Sequence, residues 1–360
     1  MKLSIFQVLY GQFTTVPPVE TADLSGQTVV VVGANTGLGL EAAKHFARMN
    51  PGRLILACRN QVKGDAAVAF TDYTKAEVWS IDLSSFSSII AFADKLEKDG
   101  GQLDILVMNA AIVTYVYEAT ADGYESSLQV NHLGTSLLSL LLLPSLVKTA
   151  KEKSAISRLV IVSSDMHYFT EISKDEQASP SIIAKLNSKE YSTKGSVLSL
   201  RAFEKLSLLT RQLSIRIMSI RYQVTKLLNV FFTRALNSRI SPSMPLIVTS
   251  ANPGFCPSEL RRDMPFPLST FSKLAEKVFA FTTEEGSRQL VYAAVGGKDD
   301  LEKMRGGFVH LGDVQEVSDY AISEEGGKVQ ERIWTETIDI LAGVTPRVRE
   351  IVDQYLSVVA

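Results

Sequence analysis

The chain has 360 residues, of which 46% are hydrophobic and 21% are charged. This composition is ordinary for a globular protein with one large domain or two modest ones, and the formal net charge of -2 argues against nucleic-acid binding, which needs a strongly basic face. Two cysteines, Cys58 and Cys256, are too few for a disulfide framework and form no CxxC pair, and the four histidines are scattered. We therefore expect a reducing, cytoplasmic location and no metal site.

Residues 1–25 are predicted to form an irregular lead-in, because Pro17 and Pro18 interrupt regular structure. This segment lacks the cleavage site of a secretory signal. The most apolar run, 137–147, has about half of the roughly 20 residues that a membrane-spanning helix needs, and Pro144 interrupts it. We expect a buried helix there and no transmembrane span, whereas peripheral contact of the lead-in with a membrane surface stays open.

Apolar, β-branched runs then alternate with stretches of helical spacing. Strands are predicted at 28–32, 53–58, 76–80, 103–108, 158–162 and 246–250, and helices at 39–49, 86–98 and 124–150. Continuous apolar strands in β-α-β alternation are typical of a parallel sheet covered on both faces. We therefore predict an α/β protein with a Rossmann-like doubly wound parallel sheet and helices on both faces.

A glycine-rich turn joins the first predicted strand to the first helix. Such a turn brings a pyrophosphate against backbone N–H groups at a helix N-terminus. Gly33 permits the tight turn, Gly37 the close approach of the phosphates, and Gly39 the packing of helix on strand. Its predicted cofactor-contact residues are Gly33, Asn35, Thr36, Gly37, Leu38 and Gly39.

The spacing GxxxGxG resembles that of the short-chain dehydrogenase/reductase family, although Val32 stands where the family usually has Thr. Arg59 follows the second strand, where an acidic residue would accept hydrogen bonds from a free ribose 2′-hydroxyl. A guanidinium suits a 2′-phosphate instead, so NADP(H) is the expected cofactor. A solvated cation at the end of a strand is the alternative interpretation of Arg59.

Two further pairs resemble cofactor elements of the family. Asp82 and Leu83, after the third strand, look like its adenine-contact pair, and Asp82 could equally serve as a helix cap. Asn109 and Ala110 end the fourth strand and resemble the start of the Asn-Ala-Gly element, in which Ala111 replaces the glycine.

The sequence also contains a YxxxK motif, Tyr222 and Lys226, which is predicted to open a helix with both side chains on one face. A nearby ammonium is expected to lower the pKa of a phenol and so aid proton transfer. The resemblance also places Tyr222 and Lys226 at the cofactor, with Lys226 holding the nicotinamide ribose. In the family, an equivalent serine hydrogen-bonds the substrate oxygen and an asparagine completes a proton relay. The resemblance assigns these roles to Ser164, at the end of the fifth strand, and to Asn131.

Two competing interpretations carry less weight. Tyr191 and Lys194 are spaced by three positions rather than four. His132 and His167 lie near Ser164 in sequence and would suit a Ser-His hydrolase, but the chain has no GxSxG elbow.

On the substrate side, Pro253 and Gly254 follow the sixth strand and resemble the element that the family places beside the nicotinamide. Ser258 stands where the family often has a Thr or Ser that contacts the cofactor. In the family, the region that corresponds to residues 255–280 is a mobile substrate lid, and its apolar character in this sequence indicates an apolar substrate. A packed surface loop would explain the same residues.

An insertion near the active site is predicted at 171–218, because Ser164 and Tyr222 are 58 positions apart, far more than in many members of the family. Its part 195–218 is rich in Leu, Ser and Arg. It could cap the active site, bind a partner or a membrane surface, or be translated intron sequence. Deletion of 195–218 tests the last of these, since loss of soluble, cofactor-binding protein would rule it out.

The expected organisation is the lead-in, one catalytic domain over 26–315, and a helical C-terminal extension over 316–360. The pattern resembles the retinol-dehydrogenase-like branch of the family found in fungi, whose members often act on intermediates of secondary metabolism. The resemblance implies NADP(H)-dependent interconversion of a carbonyl and an alcohol on a small apolar substrate, and it allows a homodimer. A non-redox reaction in the same fold, or a cofactor-binding sensor or scaffold without turnover, is the alternative.

Overall fold

The computed structural model describes residues 5–114, 116–191, 215–262, 264 and 268–357. Its centre is one sheet of eight strands in the order β3-β2-β1-β4-β5-β6-β7-β8. The strands are β1 Thr28–Val32, β2 Arg53–Cys58, β3 Ala76–Ser80, β4 Ile105–Met108, β5 Ser157–Val162, β6 Leu246–Ala251, β7 Phe308–His310 and β8 Asp313–Gln315. All neighbours are parallel except β7 and β8, so the predicted doubly wound parallel sheet is confirmed.

Helices cover both faces of this sheet. The longer ones are α1 Ile5–Gly11, α2 Gly37–Arg48, α3 Gln61–Thr71, α4 Phe86–Lys98, α6 Gly134–Lys153, α9 Ile215–Arg239, α10 Leu268–Phe279, α11 Thr283–Val295, α14 Glu324–Val344 and α15 Arg347–Tyr355. The shorter ones are α5 Ser126–Leu128, α7 Lys174–Gln177, α8 Ile182–Asn187, α12 Leu301–Met304 and α13 Asp319–Ile322. A π-helical turn, Gln129–Leu133, separates α5 from α6, and two 3₁₀ turns lie at Asp165–Phe169 and Glu259–Arg261.

The core consists of two main apolar layers, one on each face of the sheet. The central strands are buried along their whole length, which explains why they are continuous apolar runs rather than alternating ones. One layer lies beneath α2 and α11, and the other lies among α4, α6, α9 and the C-terminal helices. The strand order reverses between β1 and β4, which places a crevice at the carboxyl ends of these strands.

The most apolar helical stretch, Ser126–Lys153, is long and apolar enough to cross a membrane. However, 89% of its apolar window is buried inside the protein. As expected, this stretch is a helix of the protein interior.

Two predictions about helices are wrong. The lead-in is not irregular throughout, because residues Ile5–Gly11 form a helix that ends before Pro17 can interrupt it. Tyr222 does not open its helix, because α9 begins at Ile215 and places Tyr222 two turns inside it. Most of the segment 195–218 falls outside the described residues, as does Lys194.

The C-terminal extension packs into the same core as the sheet. Trp334 of α14 stacks on Phe232 of α9 with ring centroids 5.7 Å apart, and Arg239 lies 4.6 Å above the Trp334 ring. The described part of the 171–218 insertion is tied to α14 as well, because Glu336 accepts hydrogen bonds from the backbone N–H groups of Ile182 and Ile183 at 3.0 and 2.8 Å. The region around Tyr222 is therefore supported by helices that lie far along the chain.

Candidate active site

The glycine-rich turn follows β1 and has the shape of a phosphate cradle. Gly33 and Gly37 adopt φ values of 82° and 60°, a region that favours glycine. A Cβ on Gly39 would lie 2.3 Å from the carbonyl oxygen of Gly33, whereas a Cβ on Gly37 would meet no atom within 4 Å. Gly39 is therefore required for packing, and Gly37 borders open space.

The N-terminus of α2 is open towards that space. Thr36 occupies the N-cap position, but its side chain makes no capping hydrogen bond, so N–H groups of the first turn stay available to an anion. Asn35 is half-buried and Thr36 exposed, while Leu38 packs against a small apolar cluster. The turn therefore suits a pyrophosphate, because the helix end is uncapped and no atom lies near Gly37.

Asn109 and Ala110, at the end of β4, support this turn from below. The Asn109 side-chain amide donates to the carbonyl oxygen of Gly33 at 3.0 Å. A Cβ on Gly33 would lie only 2.8 Å from the Cα of Ala110. Asn109 therefore holds the turn by a hydrogen bond, and Ala110 packs closely against Gly33.

Arg59 and Asp82 lie at the ends of neighbouring strands but differ in their surroundings. Arg59 is exposed, and it has no hydrogen-bond or ion-pair partner in the part of the chain that the structure describes. The Asp82 carboxylate accepts from the backbone N–H and the hydroxyl of Ser84, at 2.9 and 2.6 Å, in the turn before α4. The N-cap of α4 is Ser85, so the helix-cap interpretation of Asp82 is wrong. Leu83, the neighbour of Asp82, is buried.

Ser164 and Tyr222 are brought together although 58 positions separate them. Ser164 begins the 3₁₀ turn after β5, and its hydroxyl is hydrogen-bonded to the Tyr222 phenol. Burial raises the pKa of Tyr222 to about 12, against smaller lowering effects from the Arg261 cation and the Ser164 hydrogen bond. The expected lowering of this pKa is therefore wrong for the protein without cofactor, because desolvation of the phenolate outweighs every nearby favourable charge.

Lys226 lies beneath Tyr222, with its ammonium nitrogen 5.4 Å from the centre of the phenol ring. The nitrogen donates to the main-chain carbonyl of Val162 at 2.7 Å, and the main-chain carbonyl of Lys226 accepts from the Ser163 hydroxyl at 2.9 Å. Burial lowers the pKa of Lys226 to about 7. Lys226 therefore changes between its charged and neutral forms near neutral pH.

Asn131 lies in the π-helical turn, and both polar atoms of its side chain bond to protein groups. Its side-chain oxygen accepts from the N–H of Ile112 at 2.8 Å, and its nitrogen donates to the carbonyl of Ile112 at 2.8 Å and to the Thr225 hydroxyl at 3.1 Å. The Thr225 hydroxyl donates in turn to the carbonyl of Tyr222 at 2.9 Å. Asn131 therefore links the loop after β4 to the helix that carries Tyr222.

The loop after β6 contains the other predicted cofactor residues. Gly254 has a φ of 76°, and a Cβ there would lie 2.8 Å from the Phe281 ring. Pro253 is buried and Ser258 is half-buried, and Ser258 begins the 3₁₀ turn Glu259–Arg261. Arg261 pairs with Glu276 at 2.7 Å, which ties this turn to α10 within the predicted lid.

Sequence reasoning missed the residue that joins this loop to the serine turn. The Asn252 side-chain oxygen accepts from the N–H groups of Asp165 and Gly254, at 3.3 and 3.1 Å. Its side-chain nitrogen donates to the Asp165 carboxylate and lies 3.1 Å from a ring nitrogen of His310. The sequence shows only that a polar residue, Asn252, directly precedes Pro253 and Gly254, and this does not reveal that Asp165 is its partner.

The hydrolase interpretation finds no support in the geometry. His167 places Nδ1 2.8 Å from the main-chain carbonyl of Ser164, and its Nε2 accepts from the N–H of Ser318 at 3.1 Å. Both ring nitrogens are therefore engaged with backbone, and burial lowers the pKa of His167 to about 4. Among the described residues, no group of three or more His, Cys, Asp or Glu side chains could hold a metal ion.

Known proteins are similar to this chain over most of its length. The family model described as short chain dehydrogenase matches residues 27–171. A short chain dehydrogenase of Alternaria solani is 36% identical over 80% of this chain and 91% of its own length. A short chain dehydrogenase/reductase of a Cryptosporiopsis species is 33% identical over 94% of this chain and 98% of its own length.

Solved structures show the same fold. A protein from Mycobacterium paratuberculosis is 26% identical, with a TM-score of 0.58 over 90% of this chain and 98% of its own. A gluconate 5-dehydrogenase from Burkholderia cenocepacia, solved in complex with NADP and tartrate, is 16% identical, with a TM-score of 0.53 over 79% of this chain and 93% of its own. The chain belongs to the short-chain dehydrogenase/reductase family of oxidoreductases.

Proposed function

We propose that this protein uses NADP(H) to interconvert a carbonyl and an alcohol on a small apolar substrate. The observation that carries the proposal is the hydrogen bond between the Tyr222 phenol and the Ser164 hydroxyl at the carboxyl end of β5. Lys226 lies directly beneath the phenol ring. Parallel sheets of this kind bind ligands at that edge, so two hydroxyl groups there are suited to a substrate oxygen.

The cofactor would lie across the crevice between β1 and β4. The uncapped start of α2 and the space at Gly37 suit its pyrophosphate. Arg59, which is exposed and unpaired among the described residues, suits a ribose 2′-phosphate and favours NADP(H) over NAD(H). When bound, the cofactor supplies or accepts the hydride.

The protein side of the reaction is a proton transfer at the Tyr222 hydroxyl. A pKa of about 12 keeps this phenol protonated at neutral pH, so it can donate a proton to the oxygen of a carbonyl that receives a hydride. Ser164 orients the same oxygen through its hydroxyl. In the opposite direction the phenolate must form, and the Arg261 cation and a protonated Lys226 would favour it.

Asn131 is a positioning residue in this proposal rather than part of a water chain through its amide. Its amide groups are bonded to Ile112 and Thr225, and Thr225 bonds the carbonyl of Tyr222. It therefore sets the position of α9 relative to the loop after β4, and with it the place of the phenol.

The substrate would enter beside the lid 255–280, whose described apolar residues favour an apolar molecule. The resemblance to the fungal retinol-dehydrogenase-like branch extends the proposal to an intermediate of secondary metabolism. The proposal also includes a cytoplasmic location for the protein and its assembly as a homodimer.

The Tyr222→Phe variant tests the proposed chemistry. NADPH consumption is measured with a panel of apolar aldehydes and ketones, and NADPH affinity is measured in parallel. We expect kcat to fall by about 10²- to 10⁴-fold, the range of general acid catalysis, while NADPH still binds. Tyr73→Phe, which removes a phenol hydroxyl bonded to Pro51 far from the site, is the matched control and should leave kcat unchanged.

Undiminished turnover of Tyr222→Phe would refute the mechanism and favour a different reaction in the same fold. NADPH binding without turnover of any carbonyl by the unaltered protein would favour the cofactor-binding sensor or scaffold.

A further inference from the structure

Residues 164–169 form the turn that presents Ser164, and we call them the serine turn. The Ser164 hydroxyl oxygen accepts from the N–H of Met166 at 3.3 Å, and the same hydroxyl is bonded to the Tyr222 phenol. Because the Met166 N–H already donates to this oxygen, the hydroxyl proton is left to point towards the phenol or a substrate oxygen. The direction of this proton therefore depends on the shape of the serine turn.

His167 folds back onto the carbonyl group of Ser164. Its Nδ1 lies 2.8 Å from the Ser164 carbonyl oxygen, and its Nε2 lies 3.1 Å from the backbone nitrogen of Ser318. A carbonyl oxygen only accepts and a backbone N–H only donates, so Nδ1 must carry the ring proton and Nε2 must present its lone pair. The two contacts therefore specify the neutral Nδ1–H tautomer of His167.

The surroundings of this ring keep it neutral and fixed. His167 is 0% exposed, and its ring packs against those of Tyr168 and Phe308, with centroids 4.0 and 4.7 Å away. Burial lowers the pKa of His167 to about 4, and a proton on Nε2 would confront the N–H of Ser318. The ring therefore makes both hydrogen bonds throughout the neutral pH range.

The second partner of His167 belongs to the C-terminal extension. Ser318 is the N-cap residue of α13, and its hydroxyl accepts from the N–H of Ala321 at 3.2 Å. The neighbouring residue Tyr168 donates its phenol proton to the backbone carbonyl of Glu316. His167 and Tyr168 therefore tie the serine turn to a backbone segment that lies about 150 positions further along the chain.

We propose that His167 is a positioning residue for Ser164. Its Nδ1–H holds the Ser164 carbonyl, and its Nε2 anchors the serine turn to the start of the C-terminal extension, so the Ser164 hydroxyl keeps its direction towards the reacting oxygen. The inference rests on the proposed function, because only that chemistry brings a reacting oxygen to Ser164. It also gives the C-terminal extension a role in the active site.

Two amide side chains separate the two contacts of His167. In His167→Asn the side-chain nitrogen can take the place of Nδ1 and donate to Ser164, whereas in His167→Gln the side-chain oxygen reaches the place of Nε2 and accepts from Ser318. Each variant loses one hydrogen bond, so Tm should fall by similar amounts in both. With NADPH and an apolar aldehyde, we expect kcat to fall by about 10- to 100-fold for His167→Gln and by less than about threefold for His167→Asn. KM and the Kd for NADPH should stay within about threefold of the unaltered values.

The control replaces another buried histidine. His45 pairs through Nε2 with Glu284 at 2.9 Å, and His45→Gln should leave kcat unchanged. Equal losses of kcat in His167→Asn and His167→Gln, or no loss in either, would overturn the inference, since a merely structural histidine would not distinguish the two variants.

If His167→Gln does not fold, nitrogen NMR of the imidazole rings in the unaltered protein replaces it, with signals assigned by replacing His45, His132 and His310 in turn. We expect His167 to have a protonated Nδ1 and a bare Nε2 down to about pH 5. The opposite tautomer, or a cationic ring near neutral pH, would overturn the inference. If the unaltered protein reduces no carbonyl, the proposed function itself fails, and the NMR result still tests the two contacts of His167.

Discussion

Gly37 and Gly39 are two positions apart, yet the structure gives them different tasks. An alanine at position 39 would place its Cβ 2.3 Å from the carbonyl oxygen of Gly33 and 2.6 Å from the Asn109 side-chain nitrogen. An alanine at position 37 would meet no protein atom within 4 Å and would only adopt an unfavourable φ of 60°. Gly39→Ala therefore tests the packing of the turn, and Gly37→Ala tests the space available to a ligand.

The expected costs follow from this geometry. Overpacking against backbone costs about 1–3 kcal/mol, and we expect Gly39→Ala near the upper end because neither neighbour can move freely. Left-handed backbone at an alanine costs about 1–2 kcal/mol, partly offset by a stiffer unfolded chain, so Gly37→Ala should lose about 1 kcal/mol. With about 2 °C per kcal/mol for a protein of this size, Tm should fall by about 6 °C and about 2 °C respectively.

Gly37→Ala should lose much NADPH affinity although it loses little stability. The Cβ of Gly37→Ala would occupy the space proposed for the pyrophosphate, so we expect at least about a tenfold loss of affinity despite the small loss of Tm. Thermal unfolding and calorimetric titration measure both quantities. Gly343→Ala, exposed in α14 with no atom near its Cβ, is the control, and it should bind NADPH normally. Unaltered NADPH binding by Gly37→Ala would refute the assignment of this turn.

Three further predictions follow from single side chains. Arg59→Glu should weaken NADPH binding by about 10- to 100-fold and improve NADH binding, because it replaces a phosphate-binding cation with a carboxylate; equal losses for both cofactors in a titration would contradict this. Burial lowers the pKa of Lys226 to about 7, so the unfolded chain binds more protons than the folded one above that pH, and the free energy of unfolding should rise from pH 7 towards pH 9. Urea unfolding of Lys226→Met should show a flatter dependence, and an identical slope would refute the argument. Asn252→Leu leaves the N–H groups of Asp165 and Gly254 without their acceptor, so the free energy of unfolding measured in urea should fall by about 2–4 kcal/mol. A fall below about 0.5 kcal/mol would contradict a stabilising role of the Asn252 side chain.

The fold could be predicted from the sequence because its strands are buried on both faces. A strand such as Thr28–Val32 is apolar at nearly every position and differs in pattern from the helices around it. The predicted start of the fourth strand at Leu103 was two residues early, because an apolar run does not show where pairing begins. The helix at Ile5–Gly11 was missed, since a short helix before two prolines has little periodicity to reveal it.

The site could be predicted only where a motif is local. The glycine-rich turn and the Tyr222–Lys226 pair are local patterns. The meeting of Ser164 with Tyr222 could be predicted only through the resemblance to the family. The direction of the Tyr222 pKa shift could not be predicted, because it depends on burial that only tertiary packing creates. Asn252 carries no motif that names its partner, and its bonds to Asp165 cross 87 positions of the chain.

Calorimetric titration of the unaltered protein with NADPH and with NADH tests the central claim most directly. We predict that NADPH binds at least about tenfold more tightly than NADH, as a cation at Arg59 beside a 2′-phosphate requires. Equal or tighter binding of NADH would contradict the cofactor assignment, and binding of neither would contradict the proposed function as a whole.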